Sequence, residues 1–169
     1  MLDAVPSERI GMNLPRACLP LLAAALLGAC ASGPPRRVSD PSASVQQLSV
    51  RADGSWVLDL RLDNYSNVPM RFDRVDLALT FAGQPATALH ATPALSIGPE
   101  AADVATLQVA SPPPGARLAL ADALAGGHRI DYHLEGTIEA TPDGGGSRTF
   151  DFKRDNALSP VPGLAGVLR

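Results

Sequence analysis

The chain is poor in the residues that most often carry chemistry. Of its 169 residues only two are cysteine, three are histidine, and aromatic residues make up 4%. Cys18 and Cys30 both fall near the amino terminus, so no intrachain disulfide can staple the rest, and no Cys-x-x-Cys or His-x-x-x-His spacing is present. A metal site is therefore not expected at His90, His128 or His133. No Gly-x-Ser-x-Gly elbow occurs. The "DGGGS" stretch lacks the lysine and following helix of a phosphate loop and is expected to be a hairpin turn. From position 30 onward, 12 Lys and Arg stand against 15 Asp and Glu without charge blocks, which gives no basis for nucleic-acid binding. No cofactor, metal or catalytic residue is expected, and the chain reads as a non-enzyme.

The longest charge-free apolar run, Ala17 to Ala29, is also short. A helix needs about 20 apolar residues to cross a bilayer, whereas an export signal needs about 7 to 15 before a small-residue cleavage site. The run ends in Leu27-Gly28-Ala29-Cys30, which resembles the lipobox of bacterial lipoproteins. That resemblance implies cleavage by signal peptidase II between Ala29 and Cys30, a diacylglycerol on the Cys30 sulfur and an acylated new amino terminus. Cys18 follows Pro15-Arg16-Ala17, ahead of the apolar run, and fits no such pattern. Asp3 and Glu8 make a poor basic leader, whereas a start at Met12 leaves Arg16 and the free amine as its only charges, so Met12 is the expected start. Two or more acyl chains hold a protein stably on a membrane. Ala31, in place of the Asp that retains enteric-type lipoproteins at the inner membrane, directs the expectation to the periplasmic face of the outer membrane.

Residues 30–44 are small, polar and proline-containing, the composition of a flexible tether. The folded domain is expected over 45–156, with a flexible tail over 157–169. Its clearest signal is "SWVLDLRLDN", where Trp56, Leu58, Leu60 and Leu62 alternate with Val57, Asp59, Arg61 and Asp63. Only a strand separates those two sets. Leu48 and Val50 alternate likewise, as do the sets Val75–Phe81, Ala105–Val109 and Ile130–Ile138, and Phe150 with Phe152. Gly- and Pro-containing turns fall between them. Met70 and Phe72 run out of phase with Val75, which predicts a bulge at Asp73-Arg74. Ala116, Leu120 and Leu124, followed by Gly126-Gly127, predict one short helix plugging an open end. About seven strands at this spacing predict an all-β antiparallel sandwich.

The stretches "WVLDLRLDNYSNVPMRFDRVDLALTFAG", "LSIGPEAADVATLQV" and "HRIDYHLEGTIEA" together resemble the group 2 late-embryogenesis-abundant family, whose unit is the water-stress and hypersensitive-response domain. The resemblance implies an immunoglobulin-like or fibronectin-III-like sandwich with one helix, in a binding or protective role under desiccation or envelope stress. Family members carry Asn-Pro-Asn after the second strand, where this chain has Asn64-Tyr65-Ser66-Asn67. Asn64 and Asn67 are expected to shape that turn through side-chain bonds to nearby backbone. Tyr132 is expected in the core, and Gly136 where backbones approach closely. Arg129, Asp131, His133 and Glu135 share the polar face of one strand.

The expected partners are membrane lipid through Cys30 and an envelope protein. The alternative role is an accessory subunit docking through the strand edges "LSV" and "FDFKR", where Arg51, Lys153 and Arg154 discourage casual pairing.

Overall fold

A computed structural model describes residues 35–169. The apolar run, Met12, Leu27, Gly28, Ala29 and Cys30 lie outside the described residues. The order is β1 (Ser42–Val50), β2 (Trp56–Asn64), β3 (Met70–Phe81), β4 (Thr87–Ala91), β5 (Leu95–Ile97), β6 (Ala101–Val109), α1 (Pro114–Gly126), β7 (Ile130–Pro142), β8 (Arg148–Leu158) and β9 (Val167–Leu168). One sheet has the order β6-β2-β1-β9 and the other β4-β3-β7-β8, with β5 also on β3. All pairings are antiparallel. No described helix is long and apolar enough to cross a membrane.

Alternation sets the inner faces. Trp56, Leu58, Leu60 and Leu62 of β2 are at most 1% exposed, while Val57, Asp59, Arg61 and Asp63 face outward. Burying such side chains contributes about 1.5–3 kcal/mol each. In β3 the pairing with β7 slips between Phe72 and Arg74, so Asp73 is the extra residue. The bulge restores phase, and Met70, Phe72, Val75, Leu77, Leu79 and Phe81 all face inward. A second bulge, at Gln46 of β1, moves burial from Val45 to Leu48.

Trp56, Phe81 and Tyr132 stack edge-on inside the sandwich, with ring centroids 5.9 and 6.4 Å apart. Tyr132 also links the sheets, because its buried hydroxyl accepts the Val45 N–H at 3.0 Å. Burial raises the pKa of that phenol and keeps it neutral. Gly136 sits opposite Leu77 at φ 144°, where a Cβ would lie 2.2 Å from the Asp76 carbonyl oxygen. Only glycine allows β3 and β7 to approach there.

α1 begins with proline at its first turn and ends on Gly127 in the left-handed conformation. It buries Ala116, Leu120 and Ala123. Leu124, expected inward, is half-buried, and so are Phe150 and Phe152, because β8 is an edge strand.

Two boundaries move. The tail expected to be flexible from 157 is packed instead: β8 continues to Leu158, and β9 pairs with Leu48 and Ser49 of β1. Leu158 and Leu168 are buried at 1% and 0%, and the Ser159 and Arg169 backbones bond reciprocally at 2.6 and 2.9 Å. The "LSV" edge is therefore covered at its end. At the other boundary β1 starts at Ser42 and Arg36, Arg37 and Ser39 are bonded to the domain, so residues 36–44 of the expected tether belong to the folded part.

Candidate functional site

Strand directions give the sandwich two poles. The β2–β3, β5–β6 and β7–β8 turns share one pole with the entering chain. The β1–β2 and β3–β4 turns, α1 and the carboxyl terminus share the other.

The entry pole is a polar clasp. Asn64 is only 1% exposed; its amide donates to the carbonyls of Val68 (2.9 Å), Ile97 (3.2 Å) and Gly98 (2.9 Å), and its oxygen accepts the Ser66 N–H at 2.9 Å. One side chain thus joins two turns, more than the local turn-forming role expected of it. The Ser66 hydroxyl, fully buried, accepts the Ser39 N–H at 3.0 Å. Asn67 accepts the Arg37 N–H at 2.7 Å, and Arg37 reaches Glu100 at 2.9 Å and the Tyr65 carbonyl at 3.2 Å. Arg36 donates to the carbonyls of Gly144 and Asp143 in the β7–β8 turn. Residues 36–39 have the composition of a linker, and nothing in their sequence signals that these turns would hold them.

The groups capable of acid–base work are spread over the surface and satisfied locally. His90 bonds Asp76 at 2.8 Å, His128 lies 3.5 Å from Asp122, and Arg129 bonds Asp131 at 2.7 Å. His133 bonds Asp155 at 2.6 Å and lies 3.4 Å from Glu135. The Asp155 hydrogen bond, helped by Glu135, raises the His133 pKa. The groove beside these groups is large, about 760 Å³, but its charged lining is already paired within itself. Asp131 and Glu135, a possible acid pair by sequence, are thus engaged with different partners. Among the described residues no group of three or more His, Cys, Asp or Glu is placed to hold a metal ion.

The far pole differs in chemistry. Between α1 and the β1–β2 turn lies an apolar cleft of about 440 Å³, lined by Val50, Gly54, Trp56, Pro114, Arg117, Leu118, Ala121 and Leu124. Leu118 is 72% exposed. No feature of the sequence singled this cleft out, because its apolar residues are the ones a core-facing helix also needs.

The late embryogenesis abundant protein model, LEA_2, matches residues 59–156. This chain belongs to the LEA_2 family. The matched segment runs from β2 through β8 and includes Asn64 and α1, whereas β1, β9 and the clasped residues 36–39 lie outside it. Among curated proteins none matches the chain significantly. Among solved structures, one described as a late embryogenesis abundant (LEA) protein is 14% identical at TM-score 0.47, covering 86% of this chain and 82% of its own. A protein from Arabidopsis thaliana is 18% identical at TM-score 0.40, with 77% and 84% covered. A protein from Archaeoglobus fulgidus is 12% identical at TM-score 0.41, with 74% and 98% covered. In this chain the LEA_2 domain is an antiparallel two-sheet sandwich with one short helix, and its described residues hold no catalytic constellation.

Proposed function

We propose that this LEA_2 protein is a non-enzymatic, lipid-anchored envelope protein whose domain acts by binding or protection, in tolerance of desiccation or other envelope stress. The anchor rests on Leu27-Gly28-Ala29-Cys30 at the end of a short apolar run, and the address on Ala31, which favours the periplasmic face of the outer membrane. The strand order, β6-β2-β1 facing β4-β3-β7-β8, supports an immunoglobulin- or fibronectin-III-like fold.

The clasp is the observation that gives this reading its geometry. With Arg36 bound to the domain, backbone geometry alone limits the reach from Cys30 to Arg36 to about 20 Å. A domain on so short a lead hangs with its entry pole toward the bilayer and its far pole toward the aqueous space. Mass spectrometry of the mature amino terminus tests the anchor. An acylated chain beginning at Cys30 is expected; an unmodified Cys30, or residues retained ahead of it, would overturn it.

The second reading, an accessory subunit, is favoured by β8, which stands at the edge of its sheet with Asp151, Lys153 and Asp155 exposed, the position at which strands add. Arg154 does not guard that edge as expected. It turns inward and bonds the Ser42 hydroxyl at 2.8 Å and the Ala43 carbonyl at 3.3 Å, bridging the sheets. Lys153→Glu alone is therefore the edge variant to test. Loss of a crosslinked envelope partner at unchanged folding favours this reading, and unchanged capture counts against it.

A further inference from the structure

We propose that the far-pole cleft binds the alkyl chain of a single-chain fatty carboxylate, with Arg117 holding the head group. This rests on the non-enzymatic binding role above and names its ligand class; it does not depend on the anchor.

α1 covers the end of the sandwich with its buried face, yet its outward positions Leu118, Ala121 and Ala125 are also apolar and exposed. A surface helix ordinarily turns a polar face to water, and one that is apolar all round is covered by something. Its charged residues are Arg117 and Asp122 alone. Asp122 lies by His128 on the side of the following turn. Half-buried Val50 and Leu124 and exposed Leu118 line the cleft, together with Trp56, which is only 1% exposed.

Arg117 supplies the single charge in that lining. Its guanidinium lies over Gly54, where a Cβ would be 3.7 Å away, and makes no ion pair among the described residues. The neighbouring carboxylate, Asp53, is committed to Ser55 through 2.6 and 2.9 Å hydrogen bonds. These bonds, with Arg51 nearby, lower its pKa. A cation without an ion-pair partner in the lining of an apolar cleft complements one anionic head on one hydrocarbon chain.

Size selects among such ligands. Small-molecule sites run from about 300 to 1,000 Å³, and 440 Å³ fits one chain rather than the two of a phospholipid. A second copy of the protein is a poorer occupant. At this pole the large exposed apolar side chains are Leu118 and Leu164, well short of the roughly 800 Å² per partner that a stable interface buries.

The chain has one tryptophan, Trp56, and it lines this cleft. Energy transfer from Trp56 to cis-parinaric acid, a fluorescent C18 carboxylate, therefore reports occupancy. The protein for the test is residues 30–169 with Cys30→Ala, which keeps every core residue between Ala43 and Leu168. Saturable one-to-one transfer is expected. Arg117→Ala should weaken it about tenfold and Arg117→Lys restore most of it, while transfer to the corresponding neutral alcohol stays unaffected by either. Leu118→Glu, at an exposed position, should abolish transfer with unchanged circular dichroism and melting. Four results would overturn the proposal: no saturable transfer; transfer indifferent to Leu118→Glu; equal loss of acid and alcohol with Arg117→Ala; or a concentration-dependent dimer that Leu118→Glu dissolves, which would make a second copy the occupant. Failure here leaves the acylated amino terminus, measured by mass, as a separate result.

Discussion

The two ends of the sandwich solve the same problem, closing an open edge of the core, in opposite ways. At the entry pole, buried polar side chains bind backbone groups of the turns, and Asn64 alone meets three carbonyls and one N–H. At the far pole an apolar helix is laid over the opening and Leu120 is buried beneath it. Hydrogen bonds are directional, so the first solution fixes geometry and holds the entering chain in one place. Apolar packing is not directional, so the second tolerates an open cleft beside it. The difference separates a pole that holds the entering chain from one that leaves an apolar cleft open.

That contrast predicts a graded set of responses. At the far pole, Leu120→Ala should cost about 3 kcal/mol in denaturant unfolding, whereas Leu118→Ala, two residues away but exposed, should cost under about 0.5. Equal costs would mean that Leu118 is also packed. At the entry pole, Asn64→Ala should cost about 2 kcal/mol because it leaves buried carbonyls unmet. It should also speed amide hydrogen exchange at Ser39 and Ser66; unchanged exchange would show that the clasp does not depend on Asn64. Between the poles, Tyr132→Phe keeps the ring packing but orphans the Val45 N–H, for an expected loss of about 1 kcal/mol.

The smallest effect concerns His133, whose pKa is raised by Asp155. A raised folded-state value makes the charged form stabilising, so the contribution is fully present below the unfolded pKa of about 6.5 and fades as pH rises through the folded value. Nuclear magnetic resonance titration of His133 should show the raised value, and Asp155→Asn should return it toward 6.5; an unmoved titration would remove Asp155 as the cause.

How legible these features were in sequence follows from what kind of burial produces them. β2 and β3, including the bulge at Asp73, were legible because one face is buried and the other wet along their length. β4 and β5 were not, since "TALHA" and "LSI" are too short to show a period. Residues 157–169 are rich in proline and glycine and read as a flexible tail; their order comes from β8 continuing to Leu158, from β9 pairing with β1 and from the buried Leu158 and Leu168, contacts made far away in sequence. The clasp was hidden for the same reason. Asn64 and Asn67 were recognisable as turn formers, but their bonds reach Ile97 and Arg37, which no local pattern reports. The cleft depends on Arg117 lying over Gly54, a juxtaposition of a helix and a distant turn.

The opposition of the two poles is tested most directly by depth in a membrane. In the proposed mature chain Cys30 is acylated, so a cysteine introduced by Asp143→Cys at the entry pole or Leu118→Cys at the far pole is its only free thiol. Each variant, acylated and placed in vesicles, is labelled with a fluorophore and challenged with lipids carrying a head-group quencher. Strong quenching at position 143 and little at position 118 is the expected result. Equal quenching at both, or stronger quenching at 118, would contradict the account by placing the apolar pole in the bilayer.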